Sequence, residues 1–320
     1  MQDLLLKLKP FSSLLGLAFV FGLFALAPAS RESFLTLANG KIILTQTVVV
    51  AIGAIGMTLI IVSKGIDLSV GSSIALSGIV AAVILRAGAS PVLALLAALG
   101  TGALVGLLNG TLVASLRITP FIVTLGMLGI ARGTSKWVAD NQTVGIPDTW
   151  INQLMQPPAH SAAFLSGLAP GVWLTLFLTG AVFFLMKHSV FGRYIYAIGS
   201  NEQTARLCGI NVPAHKIMIY GLAGLFFGLA GLLQLSRLRQ GDPTIAMGLE
   251  LDIIAAVIIG GASLNGGIGT VCGSVIGALM MAVLRNGSTQ MEWPTYFQEI
   301  IIGFVIIIAV GLDRFRNRQA

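Results

Sequence analysis

Charge is scarce in this 320-residue sequence, since Asp, Glu, Lys and Arg together make up only 10% of it. Water-soluble domains carry about a quarter of their residues as charged side chains, so the composition excludes a water-soluble globule. The 19 Lys and Arg against 12 Asp and Glu give a net charge of +7. These basic residues stand singly at the ends of apolar runs rather than in a patch, so we expect no nucleic-acid partner.

Cysteine and histidine are also scarce. The two cysteines, Cys208 and Cys272, lie in a polar connection and in a predicted membrane helix, which excludes a disulfide framework and a cysteine-based metal site. The three histidines, His160, His188 and His215, are dispersed and show no HExxH spacing. No group paired for catalysis is visible, so we expect no enzyme activity and no catalytic, metal-binding or cofactor-binding residue in this chain.

Nucleotide binding is excluded by another absence. The stretch GGASLNGGIGTVCGSVIGA is rich in glycine, but no G-x-x-x-x-G-K-[ST] occurs anywhere in the sequence. The chain therefore cannot bind ATP through a Walker motif. Close packing between helices explains the glycines better.

Apolar and small residues are abundant instead: 56% of the chain is hydrophobic, the mean hydropathy is +0.92 and 39 residues are glycine. This composition predicts an all-α, polytopic integral membrane protein whose single transmembrane domain spans residues 1–320 and contacts membrane lipid. Its interior is expected to be almost free of charge.

About ten transmembrane helices fit the apolar runs, with both termini cytoplasmic. The first run ends in Ala27-Pro28-Ala29 and imitates a signal peptide, but its length favours an uncleaved helix. Two runs are short, so a re-entrant segment or an eight-span arrangement stays open. The predicted spans are Phe11–Ala29, Ile42–Val62, Ser69–Leu85, Pro91–Ala114, Pro120–Trp137, Leu168–Met186, Ile217–Leu238, Leu251–Gly261 (short), Val271–Leu284 (short) and Tyr296–Leu312.

Two long polar connections follow from this topology. Residues 139–167 are predicted to form an external loop, because they combine turn-forming pairs with no apolar period. Residues 188–215 are predicted to be cytoplasmic, because basic residues lie in them and at their edges. In this arrangement eleven of the 19 Lys and Arg lie on the cytoplasmic side. This small excess of basic residues is in the direction expected of cytoplasmic loops.

The stretch SKGIDLSVGSS places Lys64 and Asp67 between two long apolar runs. One interpretation is a helix N-cap, in which Asp67 or Ser69 accepts hydrogen bonds from the first amides of the next helix. Another is an interrupted helix that lines a pathway or gate. Lys64 would pair with Asp67 or extend to the membrane surface. Ser63, Lys64, Asp67 and Ser69 are therefore pathway or gate candidates.

A second acidic pair, Glu250 and Asp252, begins the run GLELDIIAAVIIGG. Acids in a first helical turn complement the helix dipole, which is the simplest interpretation. A role at the mouth of a pathway is the alternative. A proton or sodium site is poorly supported, because no other acid is predicted in mid-span.

The connection FGRYIYAIGSNEQTARLCGINVPAHK predicts a short helix over Asn201–Cys208. Asn201 or Ser200 would cap it, Glu202 lies in its first turn and Gly209 would end it. Such a helix either rests on the membrane surface or docks into a soluble partner.

Four stretches together resemble the sugar permease subunits of bacterial ABC importers, with the ribose permeases as the best match in kind. They are GMTLIIVSKGIDLSVGS, ITPFIVTLGMLGIARG, FGRYIYAIGSNEQTARLCGINV and GLELDIIAAVIIGGASLNGGIGT, and the resemblance runs from Ile42 to Asp313.

The resemblance implies two permease subunits, as a homodimer or heterodimer, in the bacterial inner membrane. A separate ABC ATPase would use ATP and Mg, so this chain would bind no cofactor, and a soluble or lipid-anchored sugar-binding protein would deliver a monosaccharide such as ribose. Residues 188–215 would be the coupling loop, although Glu202 stands one position early for the usual Glu-Ala-Ala pattern. The resemblance assigns ATPase coupling to Arg193, Glu202, Ala205, Arg206, Leu207 and Gly209.

Two other functions remain open. An ion-coupled secondary transporter needs buried ionisable groups near the midplane, which the sequence offers poorly. An ABC permease for a non-sugar solute, such as a branched-chain amino acid, would share the architecture. A purely structural membrane protein would not need a coupling-type loop.

Overall fold

The computed structural model of the chain describes residues 12–27, 31–158 and 165–317. These residues form helices apart from turns and one two-stranded antiparallel ladder that pairs β1 (Val144–Gly145) with β2 (Gln240–Gly241). The helices are α1 (Ser12–Leu26), α2 (Arg31–Phe34), α3 (Leu37–Val62), α4 (Val70–Arg86), α5 (Pro91–Ser115), α6 (Pro120–Val138), α7 (Trp150–Gln153), α8 (Pro170–His188), α9 (Val190–Ser200), α10 (Glu202–Leu207), α11 (Val212–Leu238), α12 (Leu249–Ile259), α13 (Val271–Gln290) and α14 (Thr295–Asn317).

Five of the described helices, α3, α5, α8, α11 and α13, are long and apolar enough to cross a membrane. The apolar parts of α1, α4 and α14 are shorter. The chain is therefore an all-α, multi-pass integral membrane protein. The number of crossings and the side of each terminus stay predictions, because residues 1–11, 28–30 and 318–320 lie outside the described residues.

The two short predicted spans differ in outcome. Helix α12 has 11 residues, about 16 Å at 1.5 Å per residue, which is half of a hydrocarbon core, so this run is short as the sequence indicates, and a re-entrant segment stays a prediction for it. The second run is longer than predicted, because α13 has 20 residues and continues to Gln290. The run looked short because polar residues follow Leu284, but Asn286 and Ser288 are buried within the protein.

Helix α3 forms the centre of the bundle, since every residue from Thr47 to Val62 is buried. Helices α5 and α11 pack through glycines, as the composition predicts. A Cβ on Gly106 would overlap the backbone carbonyl of Tyr220, and a Cβ on Gly102 would overlap that of Gly224. Small residues thus allow the two backbones to touch.

The two polar connections are more ordered than the sequence indicates. Residues 139–167 contribute β1 and α7, and Ser236 of α11 fixes this segment by donating to the carbonyl of Ile151 (2.6 Å) and accepting from the amide of Met155 (3.1 Å). Residues 188–215 fold largely into α9 and α10. We call residues 188–215 the coupling segment, after the role that the resemblance predicts for them, and we call the end of the bundle that carries them the loop end.

Candidate functional site

The turn between α3 and α4 is built around a buried carboxylate. Asp67 is only 1% exposed. Its Oδ1 accepts from the amide (2.8 Å) and hydroxyl (2.6 Å) of Ser69, and its Oδ2 accepts from Nδ2 of Asn109 on α5 (3.2 Å). The Asn109 amide also donates to the Ser69 hydroxyl (2.9 Å). Two hydrogen bonds thus hold the turn together, and two donated by Asn109 join it to α5.

This turn lies inside the bundle. Asn109 precedes the end of α5 at Ser115 by six residues, about 9 Å along the helix. Tyr220, whose hydroxyl donates to the carbonyl of Ile66 (3.4 Å), follows the start of α11 at Val212 by eight residues, about 12 Å. Because both helix ends lie at the loop end, α4 begins well within the bundle.

The structure separates the four candidates of this stretch. Ser63 is buried and donates to the carbonyl of Ile60 (2.8 Å), which is a local helix-end contact. Lys64 is exposed, adopts φ 65°, and forms no ion pair with Asp67 among the described contacts. The N-cap interpretation needs correction, because neither Asp67 nor Ser69 binds the later amides of α4 through its side chain. Asp67 instead accepts from the amide of Ser69, the N-cap residue itself.

Helix α12 begins beside the start of α4. Glu250 accepts from the amide of Gly248 through Oε1 (3.3 Å), and a Cβ added to Gly71 in the first turn of α4 would overlap Glu250 Oε2. Glu250 and Asp252 both lie in the first turn of α12, where carboxylates complement the helix dipole as predicted. Two interrupted helices therefore start side by side in the protein interior, each with carboxylates at its start.

Asp252 also forms an ion pair that the sequence analysis missed. It is 1% exposed, and its Oδ2 accepts from both Nη2 (2.6 Å) and Nε (2.8 Å) of Arg285 on α13. Its Oδ1 has no hydrogen-bond partner among the described residues. Arg285 carried a sequence signal, an arginine at the end of an otherwise apolar run, but that pattern alone indicates only a helix end.

A second arginine fixes the non-helical segment before α12. Arg132 on α6 donates through Nη1 to the carbonyls of Pro243 (2.9 Å) and Ile245 (2.7 Å). In the predicted topology Arg132 is one of the eight Lys and Arg on the external side. The prediction of an almost charge-free interior is therefore wrong: Asp67, Asp252 and the head of Arg132 all lie among the helices.

A cavity of about 330 Å³ adjoins the Asp252–Arg285 pair. It lies toward the end opposite the loop end, because its lining includes the first half of α3, the last turns of α11 and the last turns of α13. The lining residues are Gln46, Val49, Val50, Gln234, Arg237, Ala246, Met247, Leu249, Asp252, Met281, Ala282, Arg285, Thr289 and Gln298.

The coupling segment contains the short helix that the sequence predicts. Asn201 caps α10 by accepting from the amide of Thr204 (3.0 Å), and Gly209 follows with φ 83°, where a Cβ would be strained. Ala205 packs inward, whereas Leu207 is 89% exposed. The two apolar residues of α10 thus lie on different sides of the helix, and Leu207 faces solvent.

Glu202 organises the charges of α10. It pairs with Arg206 one turn later (2.6 Å) and with Lys216 at the start of α11 (2.6 Å). Burial alone would raise the pKa of Glu202, but the hydrogen bonds and charges of Lys216 and Arg206 outweigh burial and lower its pKa. Arg193 lies apart, on α9 beside a cavity of about 470 Å³ with Lys187 and Tyr196.

The coupling segment contacts both helix pairs that contain an interrupted helix, α3–α4 and α12–α13. A Cβ on Gly199 of α9 would overlap the carbonyl of Val62 and lie 2.6 Å from the amide of Gly267. That amide donates to Val62 (2.8 Å), and the Tyr196 hydroxyl donates to the carbonyl of Gly269 (2.8 Å). The end of α3, the α12–α13 loop and α9 therefore meet backbone to backbone at the loop end.

Comparison with known proteins gives the family. A sequence model described as the branched-chain amino acid transport system / permease component matches residues 41–310. The ribose import permease of Escherichia coli is 41% identical over 291 residues, 91% of this chain and 90% of that protein. The L-arabinose ABC transporter permease of Azospirillum brasilense is 34% identical over 305 residues, 95% and 88% of the two chains.

The fructose import permease of Rhizobium meliloti is 35% identical over 306 residues, 94% of this chain and 84% of that protein. No solved structure matches the chain. The matches cover the stretches that carry the resemblance noted from the sequence, and they confirm it. The chain therefore belongs to the family of transport-system permease components.

Proposed function

We propose that this chain is the membrane permease of an ATP-driven importer for a monosaccharide, a pentose or a hexose. The relatives support the substrate class, since their names specify ribose, L-arabinose, fructose and D-allose. Two permease subunits, the second a copy or a paralogue of this chain, would form the pathway in the inner membrane. A soluble or lipid-anchored binding protein would deliver the sugar, and ATPase subunits would use ATP and Mg.

The coupling segment carries this proposal. Helix α10 presents Leu207 almost fully to solvent, which costs free energy unless a partner covers it. A groove formed with the α5–α6 connection adjoins α10 and places Arg117 near Glu202, Arg206 and Lys216. An apolar tip with a basic rim is suited to docking into a soluble subunit, and the contacts through Gly199 and Tyr196 would transmit its movement.

Copurification tests the assignment. The tagged chain is extracted in detergent from its native cells, and the proteins that copurify are identified by mass spectrometry. We expect an ABC ATPase, and we expect Leu207→Ser to reduce its recovery about tenfold, because a buried leucine contributes about 1.5–3 kcal/mol. Leu165→Ser is the matched control, since Leu165 is also exposed but lies in the 139–167 connection. Equal loss in both variants, or no ATPase with the parent chain, would contradict the assignment.

An ion-coupled transporter is the second candidate, because Asp67 and Asp252 are buried acids beside interrupted helices. It predicts that the purified chain alone accumulates sugar in proteoliposomes when a proton or sodium gradient is applied. The importer assignment predicts no accumulation without the ATPase and ATP.

A further inference from the structure

We infer that the cavity beside Asp252 and Arg285 is a binding site for a neutral polyhydroxylated molecule on its way through the permease. This inference rests on the proposed function and adds the location of a substrate site within this chain. At about 330 Å³ the cavity is at the lower end of the range for small-molecule sites. It lies toward the end of the bundle that faces away from the coupling segment.

Three amide side chains belong to its polar lining. Gln46, Gln234 and Gln298 come from α3, α11 and α14, three elements that are distant in sequence. An amide both donates and accepts without net charge, so such a lining suits hydroxyl groups, which also do both. Thr289 adds a hydroxyl from α13.

The ion pair supplies the stronger contacts. Arg285 engages only Oδ2 of Asp252, so Oδ1 is left without a partner among the described residues. A buried carboxylate oxygen without a donor is costly to leave unsatisfied. A hydroxyl of a polyol would satisfy it, and the exposed part of Arg285 would donate to a neighbouring hydroxyl oxygen.

The remaining lining indicates weak and transient binding. The apolar part consists of aliphatic and methionine side chains such as Met247 and Met281, with no aromatic ring among the lining residues. Aromatic rings provide much of the contact area in tight small-molecule sites. A site without them releases its ligand readily, which suits a step in transport.

The charge balance favours a neutral ligand. Asp252 compensates Arg285, and Arg237 is left as one net positive charge in the lining. An anionic ligand would gain from Arg237 but would place its charge beside the Asp252 carboxylate. We therefore commit to the neutral class, and an anion becomes an outcome of the test.

Uptake provides the first test. The complex of permease, ATPase and binding protein is reconstituted in proteoliposomes, and uptake of radiolabelled ribose, L-arabinose, fructose and D-allose is measured. For the sugar that is transported, Gln46→Leu and Gln234→Leu should each lower kcat/KM about fivefold, as expected for one lost hydrogen bond. Gln153→Leu is the control, because Gln153 is exposed and lies outside the cavity.

Protection from labelling provides the second test and does not depend on turnover. Both native cysteines are exposed, so they are first replaced by serine, and Gln46→Cys is introduced. A charged thiol reagent should modify Gln46→Cys at least threefold more slowly when the transported sugar is present at high concentration. Gln153→Cys should react at the same rate with and without sugar.

Each outcome is decisive. Unchanged uptake in both glutamine variants, with no protection by sugar, would overturn the site while leaving the importer assignment intact. Protection by ribose 5-phosphate but not by neutral sugars would overturn the neutral class. A parent complex that transports none of the four sugars would overturn the proposed function, and the substrate site with it.

Discussion

Arg285 and Asp252 lie on adjacent helices of one hairpin and are joined through a single carboxylate oxygen, 2.6 Å from Nη2 and 2.8 Å from Nε. The carboxylate is buried, whereas the arginine is about half exposed. The pair therefore brings a carboxylate into the interior next to a cavity, where Arg285 and the start of α12 compensate its charge.

Removal of the arginine should destabilise the protein. Arg285→Ala leaves the buried Asp252 carboxylate without its cation, so we expect the free energy of unfolding to fall by about 2–3 kcal/mol, less than for a fully buried pair because Arg285 is partly exposed. Arg285→Lys keeps the charge but not the Nε contact and should recover part of the loss. Thermal unfolding in detergent measures both variants. Unfolding of Arg285→Ala at the parent temperature would show that the pair contributes nothing to stability.

The two charges of the α3–α4 turn should differ in importance. Asp67→Asn keeps the shape and most hydrogen bonds, because the Asn109 amide can rotate and present its unpartnered Oδ1 to the new amide. We expect assembly and stability within about 1–2 kcal/mol of the parent, but loss of sugar uptake, because a carboxylate no longer holds the start of α4.

Lys64→Gln is the matched control for this prediction, because Lys64 is exposed and does not pair with Asp67. Its uptake should stay near the parent value. Radiolabelled sugar uptake and copurification of the ATPase are measured together. Normal uptake by Asp67→Asn would reject the role of the charge.

The contact at Gly199 should tolerate no added methyl group. In Gly199→Ala the new Cβ would overlap the Val62 carbonyl and crowd the Gly267 amide, which are backbone groups that cannot rotate away. We expect a loss of about 1–3 kcal/mol, as for other overpacked sites, and weaker coupling of ATP hydrolysis to uptake. Gly180→Ala in α8 is the control, because nothing lies within 4 Å of its Cβ position. Equal stability of the two variants would contradict the backbone contact.

The ion pairs of Glu202 should depend on pH. Because its pKa is lowered in the folded protein, its contribution to stability is fully present above the unfolded value of about 4.3 and is lost as the pH falls through the folded value. The parent should therefore unfold at a higher temperature than Glu202→Gln at pH 7, and the difference should shrink below about pH 4.3. A difference that stays constant down to pH 3 would exclude the lowered pKa.

The sequence predicts the helices well, because each apolar run must satisfy its backbone hydrogen bonds internally in lipid. It also predicts α10 with its cap at Asn201 and its end at Gly209, since these are local signals. It underestimates the helical content of residues 188–215. Residues Val190–Ser200 form α9, because Ser189 caps the helix and its inner residues pack on the bundle. The sequence shortens α13, because the polar residues Asn286 and Ser288, which suggest a helix end, are buried within the protein.

Residue type and order by themselves determined the membrane class, the approximate helices, the family and the positions at which acids interrupt apolar runs. Tertiary structure decided which groups meet: Asp67 with Asn109, Asp252 with Arg285, Arg132 with the carbonyls before α12, and Gly199 with Val62. These partners are 33 to 137 residues apart. Helix periodicity and capping operate within a few residues of one another, whereas the pairing of distant side chains depends on how whole helices pack.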